Sequence, residues 1–458
     1  MDERTVDVVV VGAGMSGLCA AIAAALSGAT VQVFEVNDHV GGAAVWSAGR
    51  IWTFDEAGEL RERVPTGDGE LQAVLAAEFR GSLNWLRELD LPLVEQAPDR
   101  LGNGAVMALG MSGNRAAFLD ALADCARAHG VNIKLGTHVS GLVREDGVFL
   151  VQCDTDNTIQ QIKSRTVVIA SGGFQTDPAT LRSYLGSEVR HLLIRSSTMA
   201  SGGGLRMGLS LGASVSRGMA GFYGHTMPMF ARQLAPSEFK AATFAFAKEA
   251  ILVNREGLRF TDEAEGLVEE ANAVDAMYQP DGVYFLICDS ALSDLVPIEL
   301  LKGLAARAGV PVKNLMITAG TLDGLFADMG QQWGIDKARL KRTVTSVNVA
   351  ARFGRGDQLK PPRSRPPKEL KNGPFTALAC MPSITFPYGG LHVNADLQLL
   401  DGECQTLGNV WAAGVDAGGV FRGAYAGGLA WALVSGRLAG AAAAAATKEK
   451  GSAPHGTL

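Results

Sequence analysis

The stretch that decides the fold is Val6–Glu35, VDVVVVGAGMSGLCAAIAAALSGATVQVFE. Val6–Val11 is an almost unbroken β-branched run, as expected of a strand buried on both faces of a parallel sheet. Gly12, Gly14 and Gly17 follow at once in a G-x-G-x-x-G arrangement, and an Ala-rich segment then predicts a helix that ends at Gly28. The second strand, TVQVFE, closes on Glu35, about 20 residues beyond the glycines, where an acid can hydrogen-bond a ribose hydroxyl. Each glycine has a task. Gly12 makes a tight turn, Gly14 lets a pyrophosphate approach the backbone, and Gly17 lets helix and strand close together. The helix N-terminus then receives the phosphate charge. A dinucleotide-binding βαβ unit is the reading.

The chain has 458 residues, is 47% hydrophobic and 19% charged, and so holds more than one packed core. Its net charge of -6, with both signs interspersed, argues against nucleic acid or an anionic membrane as the main partner and leaves a small molecule. The six cysteines (Cys19, Cys125, Cys153, Cys288, Cys380, Cys404) form neither CxxC pairs nor metal-ligand clusters, which fits reduced thiols and a cytoplasmic location. The apolar start could pass for a signal anchor, but acidic MDERTVD precedes it and the glycines sit at nucleotide-binding spacing. Neither targeting nor an integral membrane segment is expected.

Beyond Glu35, several segments resemble FAD-dependent dehydrogenases of the fumarate reductase/succinate dehydrogenase flavoprotein superfamily, in order and over nearly the whole chain. They are HVGGAAVWSAGRIW (39–52), GTHVSGLV (136–143), TVVIASGGF (166–174), SGGGLRMGLSLGA (201–213), ILVNREGLRFTDE (251–263) and NVWAAGVDAGG (409–419). Gly203 stands where that group usually has Asp, and Val415 where it usually has Glu. The resemblance implies an α/β fold: a Rossmann-like FAD-binding domain of the glutathione-reductase type with an inserted α+β capping domain. It places the first part of the FAD domain at 1–219, the cap at 220–354 and the second part at 355–458. The Pro-rich LKPPRSRPPKELKNGPF (359–375) serves as return linker, and a disordered tail is expected from about residue 447.

The same resemblance implies the cofactor contacts. They fall on Gly12, Ala13, Gly14, Ser16, Gly17, Glu35 and Val36, then on Gly41, Gly42, Ala43, Ser47, Ala48 and Gly49. Further along they fall on Val139, Ala170, Ser171, Gly172, Gly414, Asp416, Gly428 and Leu429. No histidine stands where succinate dehydrogenases attach their flavin, so FAD is expected to be non-covalent. No second nucleotide fingerprint follows, so electrons leave for an external acceptor or oxygen.

Three positions define fumarate reduction in that group, and here they fall on Leu267, Phe386 and Tyr425, all without an ionic group. A dicarboxylate clamp needs cationic donors and alkene reduction needs a proton donor, so this chemistry is disfavoured. AYAGGLAWA (424–432) is similar instead to a segment of 3-ketosteroid dehydrogenases in which a tyrosine hydroxyl and a nearby backbone N–H hold the substrate's ketone oxygen. That implies Tyr425 with Gly428 as carbonyl anchor, removal of the α-hydrogen as a proton, and passage of the β-hydrogen to flavin N5. That group's base position is Leu267, so the base is sought among Tyr388, Tyr223 and His225. TFPYGGLHVNADLQLLD (385–401) also resembles tricarballylate dehydrogenases. Arg422 is either the cation for a substrate carboxylate or a surface charge on a glycine turn, and Arg217 is a weaker candidate. The expectation is a desaturase acting next to the carbonyl of a small cyclic ketone or keto acid, such as a 4-oxocyclohexanecarboxylate-like ring, or of a 3-ketosteroid. A tricarballylate-type dehydrogenase, an ene-reductase and a non-catalytic flavin protein are the alternatives.

Overall fold

The computed structural model describes residues 5–95, 106–111, 114–155, 158–235, 237–265 and 270–449. The chain gathers into two units: residues 1–184, 196–222 and 386–458 form the first, and residues 185–195 and 223–385 the second.

The first unit is built on an eight-stranded sheet. Its main path runs Gln398–Leu400, Thr406–Ala412, Thr158–Ile169, Val6–Val11, Val31–Phe34 and Asn132–Lys134. From Thr406–Ala412 to Asn132–Lys134 every neighbouring pair is parallel. Val8, Val9 and Val10 are fully buried, as a strand covered on both faces requires. The helix Met15–Leu26 packs against the C-terminal helix Gly428–Glu449, and glycines make the contact. A Cβ on Gly436 would lie 2.3 Å from the Ser16 carbonyl oxygen, and one on Gly440 2.0 Å from that of Ala20. The C-terminal helix has the length and hydropathy of a membrane span, and 56% of that stretch is buried inside the protein. A small antiparallel sheet (Arg50–Thr53, Val106–Met111, Leu93–Glu95) completes this unit.

The second unit holds a six-stranded, mostly antiparallel sheet around Phe375–Pro387, which pairs with Tyr284–Cys288 and Met316–Ala319. Alternate residues of Tyr284–Cys288 enter opposite cores. Phe285 and Ile287 join one cluster and Tyr284, Leu286 and Cys288 the other, so an unbroken apolar run is what the sheet demands. The expected α/β architecture with an α+β insert is found.

The return to the first unit comes at Phe386, later than residue 355, because the proline-rich segment is stapled into the second unit. Arg363 donates to the carbonyls of Ala250 (3.1 Å) and Lys248 (2.6 Å). Arg259 donates to the Pro361 carbonyl at 2.6 Å. Both arginines converge on Glu263, which is fully buried. This ion cluster accounts for the arginine and glutamate spacing of ILVNREGLRFTDE. Of the tail expected to be disordered from about residue 447, residues 447–449 still belong to the C-terminal helix, and the rest lies outside the described residues, as does Leu267.

Candidate active site

The glycine turn after the first strand has no room for side chains. A Cβ on Gly12 would lie 2.4 Å from the Ala170 carbonyl oxygen, and one on Gly17 1.9 Å from that of Gly12. Gly12 also has φ +102°, which glycine alone adopts without strain. Glu35, 5% exposed, ties the turn to the second strand. Its Oε2 accepts from the Ala13 N–H at 2.8 Å, and its Oε1 accepts from both nitrogens of Asn37 at 2.9 Å. The acid expected at a ribose therefore also braces the loop, and Oε2, which accepts one hydrogen bond here, retains a second acceptor site. Gly41 (φ +115°) donates to the Ala13 carbonyl, and Gly42 comes close to Gly14. Ala43 is half-buried in the short 3-10 helix Gly42–Trp46, Ser47 caps its end through the Ala44 carbonyl, Ala48 is exposed, and Gly49 is left-handed. Val36 is exposed at the end of the second strand and Val139 is buried in the strand His138–Glu145.

A second loop cluster stands beside this one. Ala170 follows the strand Thr158–Ile169, and Ser171 and Gly172 turn towards Asp416, whose Oδ2 accepts from the Gly172 N–H at 2.8 Å. Ser171 Oγ lies 3.4 Å from Asp416 Oδ1 and accepts from the Gly204 N–H at 2.9 Å. Burial pushes the Asp416 carboxyl up to about 7, opposed by the Gly172 N–H and the Ser171 hydroxyl. Trp431 Nε1 donates to the carbonyls of Gly414 and Ala417, and Ser435 Oγ accepts from the Gly414 N–H, so the C-terminal helix fixes this turn. Trp431 and Ser435 were not among the expected site residues.

Tyr425 and Gly428 bond to each other: the Gly428 N–H donates to Tyr425 Oη at 2.9 Å. Around the phenol stand Trp52 and Phe421, with ring centroids at 5.6 Å, and Phe386 at 6.0 Å. The turn that carries Tyr425 is locked. Thr53 Oγ1 donates to the Ala426 carbonyl at 2.8 Å, and a Cβ on Gly427 would lie 1.8 Å from the Trp52 carbonyl oxygen. Leu429 opens the C-terminal helix, half-buried. Trp52 and Phe421 were missed by sequence reasoning. The signal was the aromatic recurrence in GRIW and VFRGAY.

The other candidates separate. Arg422 is exposed, three residues before Tyr425, and its carbonyl accepts from Thr66 Oγ1. Arg217 is also exposed and faces Asp68 at 4.0 Å. Tyr388 is buried in the first unit with its ring against Gly221 and its Cβ close to Gly218. Tyr223 and His225 lie in the second unit on one strand, rings edge to face at 4.7 Å. Among the described residues no group of acids, cysteines and histidines could hold a metal ion.

The sequence matches the FAD binding domain family over residues 7–429, and the chain belongs to that family. Urocanate reductase of Eggerthella lenta is 27% identical over 90% of this chain and 70% of that protein. 4-Oxocyclohexanecarboxylate 2-dehydrogenase of Sinomonas cyclohexanicum is 24% identical, covering 93% of this chain and 90% of that protein. Among solved structures, 3-ketosteroid Δ1-dehydrogenase of Sterolibacterium denitrificans has a TM-score of 0.75 at 18% identity, over 96% of this chain and 99% of that one. The cofactor is FAD, and the glycine cradle at Gly12 and Gly17, open to a helix N-terminus, fits it. The protein is an FAD-dependent oxidoreductase acting on carbon–carbon bonds.

Proposed function

We propose that this member of the FAD binding domain family desaturates the bond next to the carbonyl of a small cyclic ketone or keto acid. The observation that carries the reading is the Gly428 N–H on Tyr425 Oη. With its oxygen engaged as acceptor, the phenol becomes a stronger O–H donor toward a ketone oxygen. A donor held in place before the reaction stabilises the enolate that forms as the α-proton leaves. Bound FAD supplies the acceptor for the β-hydride.

Trp52, Phe386 and Phe421 give Tyr425 an apolar surround suited to a saturated ring. Arg422, exposed on the same turn, is proposed to meet a substrate carboxylate. A 4-oxocyclohexanecarboxylate-like ring uses both groups, and the dehydrogenase of Sinomonas cyclohexanicum supports this choice by its name.

The test is anaerobic mixing of the yellow protein with cyclic ketones, with cyclic keto acids and with acyclic tricarboxylates, while the oxidised flavin absorbance is followed. Bleaching by the cyclic carbonyl compounds is the expected result. Bleaching by tricarboxylates alone overturns the assignment.

A further inference from the structure

Asp416 is a carboxylic acid with 2% exposure in a seat that glycines make possible. A Cβ on Gly204 would lie 2.4 Å from its Oδ1, and one on Gly390 2.6 Å from its carbonyl oxygen. Among the described residues, the groups that hydrogen-bond its side chain or crowd its seat are uncharged. Ser171 and Gly172 face it from one turn, Gly204 from the helix Gly203–Ser210, and Gly390 and Leu391 from the loop after Tyr388. Its side-chain partners are the Gly172 N–H, the Ser171 hydroxyl and the Ser171 N–H, with no cation among them. A carboxylate so buried and without a counter-charge is poised to hold a proton.

The same turn reaches the phosphate end of the cofactor site. A Cβ on Gly414, two residues earlier, would lie 2.5 Å from the hydroxyl of Ser16, in the first turn of the helix Met15–Leu26. The pyrophosphate of a dinucleotide brings negative charge to that helix N-terminus. Like charges that meet in a poorly solvated interior favour protonation of whichever group can accept a proton.

We propose that Asp416 is a proton-binding positioning residue of the flavin seat, taking up one proton from solvent as FAD binds. The proton has a place. The protonated Oδ1 can donate to Ser171 Oγ while Oδ2 keeps the Gly172 N–H, so the turn is held in both states. Coupling of this kind is reciprocal: if FAD raises the proton affinity of Asp416, the proton raises FAD affinity by the same factor. FAD therefore binds more tightly at pH 6 than at pH 8, by at most about tenfold per pH unit for one linked proton. The inference is independent of the substrate reading, since no substrate enters the measurement.

The experiment dilutes purified holoprotein at pH 6, 7 and 8 and reads FAD release from the recovery of flavin fluorescence, for the wild type and Asp416→Asn. The expected result is a wild-type Kd that rises about three- to tenfold from pH 6 to pH 8. The Asn variant, which cannot ionise, stays flat. A flat wild-type profile, or an equal rise in Asp416→Asn, overturns the proposal. Should the variant fail to hold FAD, infrared difference spectra of the wild type decide. Release of FAD at pH 7 is expected to weaken a carboxylic-acid carbonyl band, and no change in that region refutes the uptake.

Discussion

The backbone N–H of Gly428 points at the hydroxyl oxygen of Tyr425, 2.9 Å away, and the turn between them is locked to the strand Arg50–Thr53 through Thr53 and Gly427. The phenol is thus placed by backbone contacts rather than by its own rotamer alone. Tyr425→Phe removes the donor and leaves the ring and its neighbours. The expected outcome is a loss of about 100- to 1000-fold in the rate of flavin bleaching, the range seen when one donor to a developing oxyanion is removed. The flavin absorbance of the resting protein is expected to stay unchanged. Stopped-flow single turnovers check both, and an unaltered rate removes Tyr425 from the chemistry.

On the proposed reading, Arg422 separates a keto acid from a neutral ketone. Because it is exposed, its attraction for a carboxylate is screened, and an interaction of about 0.2–1 kcal/mol is all that such a pair offers. Arg422→Ala is expected to raise KM for a cyclic keto acid by up to about fivefold. KM for the parent cyclic ketone is expected to hold. Equal KM values for variant and parent on both substrates reduce Arg422 to a surface charge.

The glycine cradle makes a prediction about cofactor content. In Gly17→Ala the added methyl meets the Gly12 carbonyl oxygen at 1.9 Å, and backbone on backbone cannot yield cheaply. The variant is expected to purify with little or no FAD, read from the ratio of flavin to protein absorbance. Gly28→Ala at the far end of the same helix meets nothing, and is expected to keep its flavin despite the strain of φ +85°.

Much of the first unit was legible from residues alone, because a βαβ turn over a pyrophosphate leaves few choices. The order of strand, glycines, helix, strand and acid in Val6–Glu35 appears in the structure as read. The ends of the second unit were not legible. LKPPRSRPPKELKNGPF has linker composition, yet Arg363 within it reaches the carbonyls of Lys248 and Ala250, far away in sequence. Burial of an arginine is a tertiary event that composition cannot announce. The site divides in the same way: Tyr425 stood out in its glycine turn, whereas Trp52 and Phe421 were not among the residues expected at the site, and it is the fold that sets them around it.

The stapled segment yields a stability ranking. Glu263 is the common partner of two buried arginines, and it also accepts from the Leu252 N–H at 3.2 Å. Glu263→Gln strands both guanidinium charges in the interior. A loss of about 3–5 kcal/mol is expected for a broken buried pair. Arg363→Met leaves the pairing of Arg259 with Glu263 intact and fills part of the space, so its loss is expected to be the smaller. Urea unfolding of the two variants checks the order, and a milder Glu263→Gln refutes this account of the cluster.

Asp416 gives stability a pH dependence of determined sign. Its carboxyl is pushed up from 3.8 to about 7 by burial, so the native state holds a proton that the unfolded chain releases between these values. Stability from this group is fully present below 3.8 and is lost as pH rises through about 7. Above that the ionised native form carries a fixed penalty on the order of 4 kcal/mol relative to a group that never charges. Asp416→Asn keeps an acceptor for the Gly172 N–H and cannot ionise. Its melting temperature relative to the wild type is expected to climb from pH 5 to pH 8. The sign is opposite to that of ordinary paired carboxylates such as Asp177, which its hydrogen bonds hold below the usual range despite burial, and which therefore stabilises at higher pH. Calorimetric scans of both proteins at pH 5, 6, 7 and 8 measure the difference directly, and a constant gap across that range sinks the assignment of a buried, uncompensated charge to Asp416.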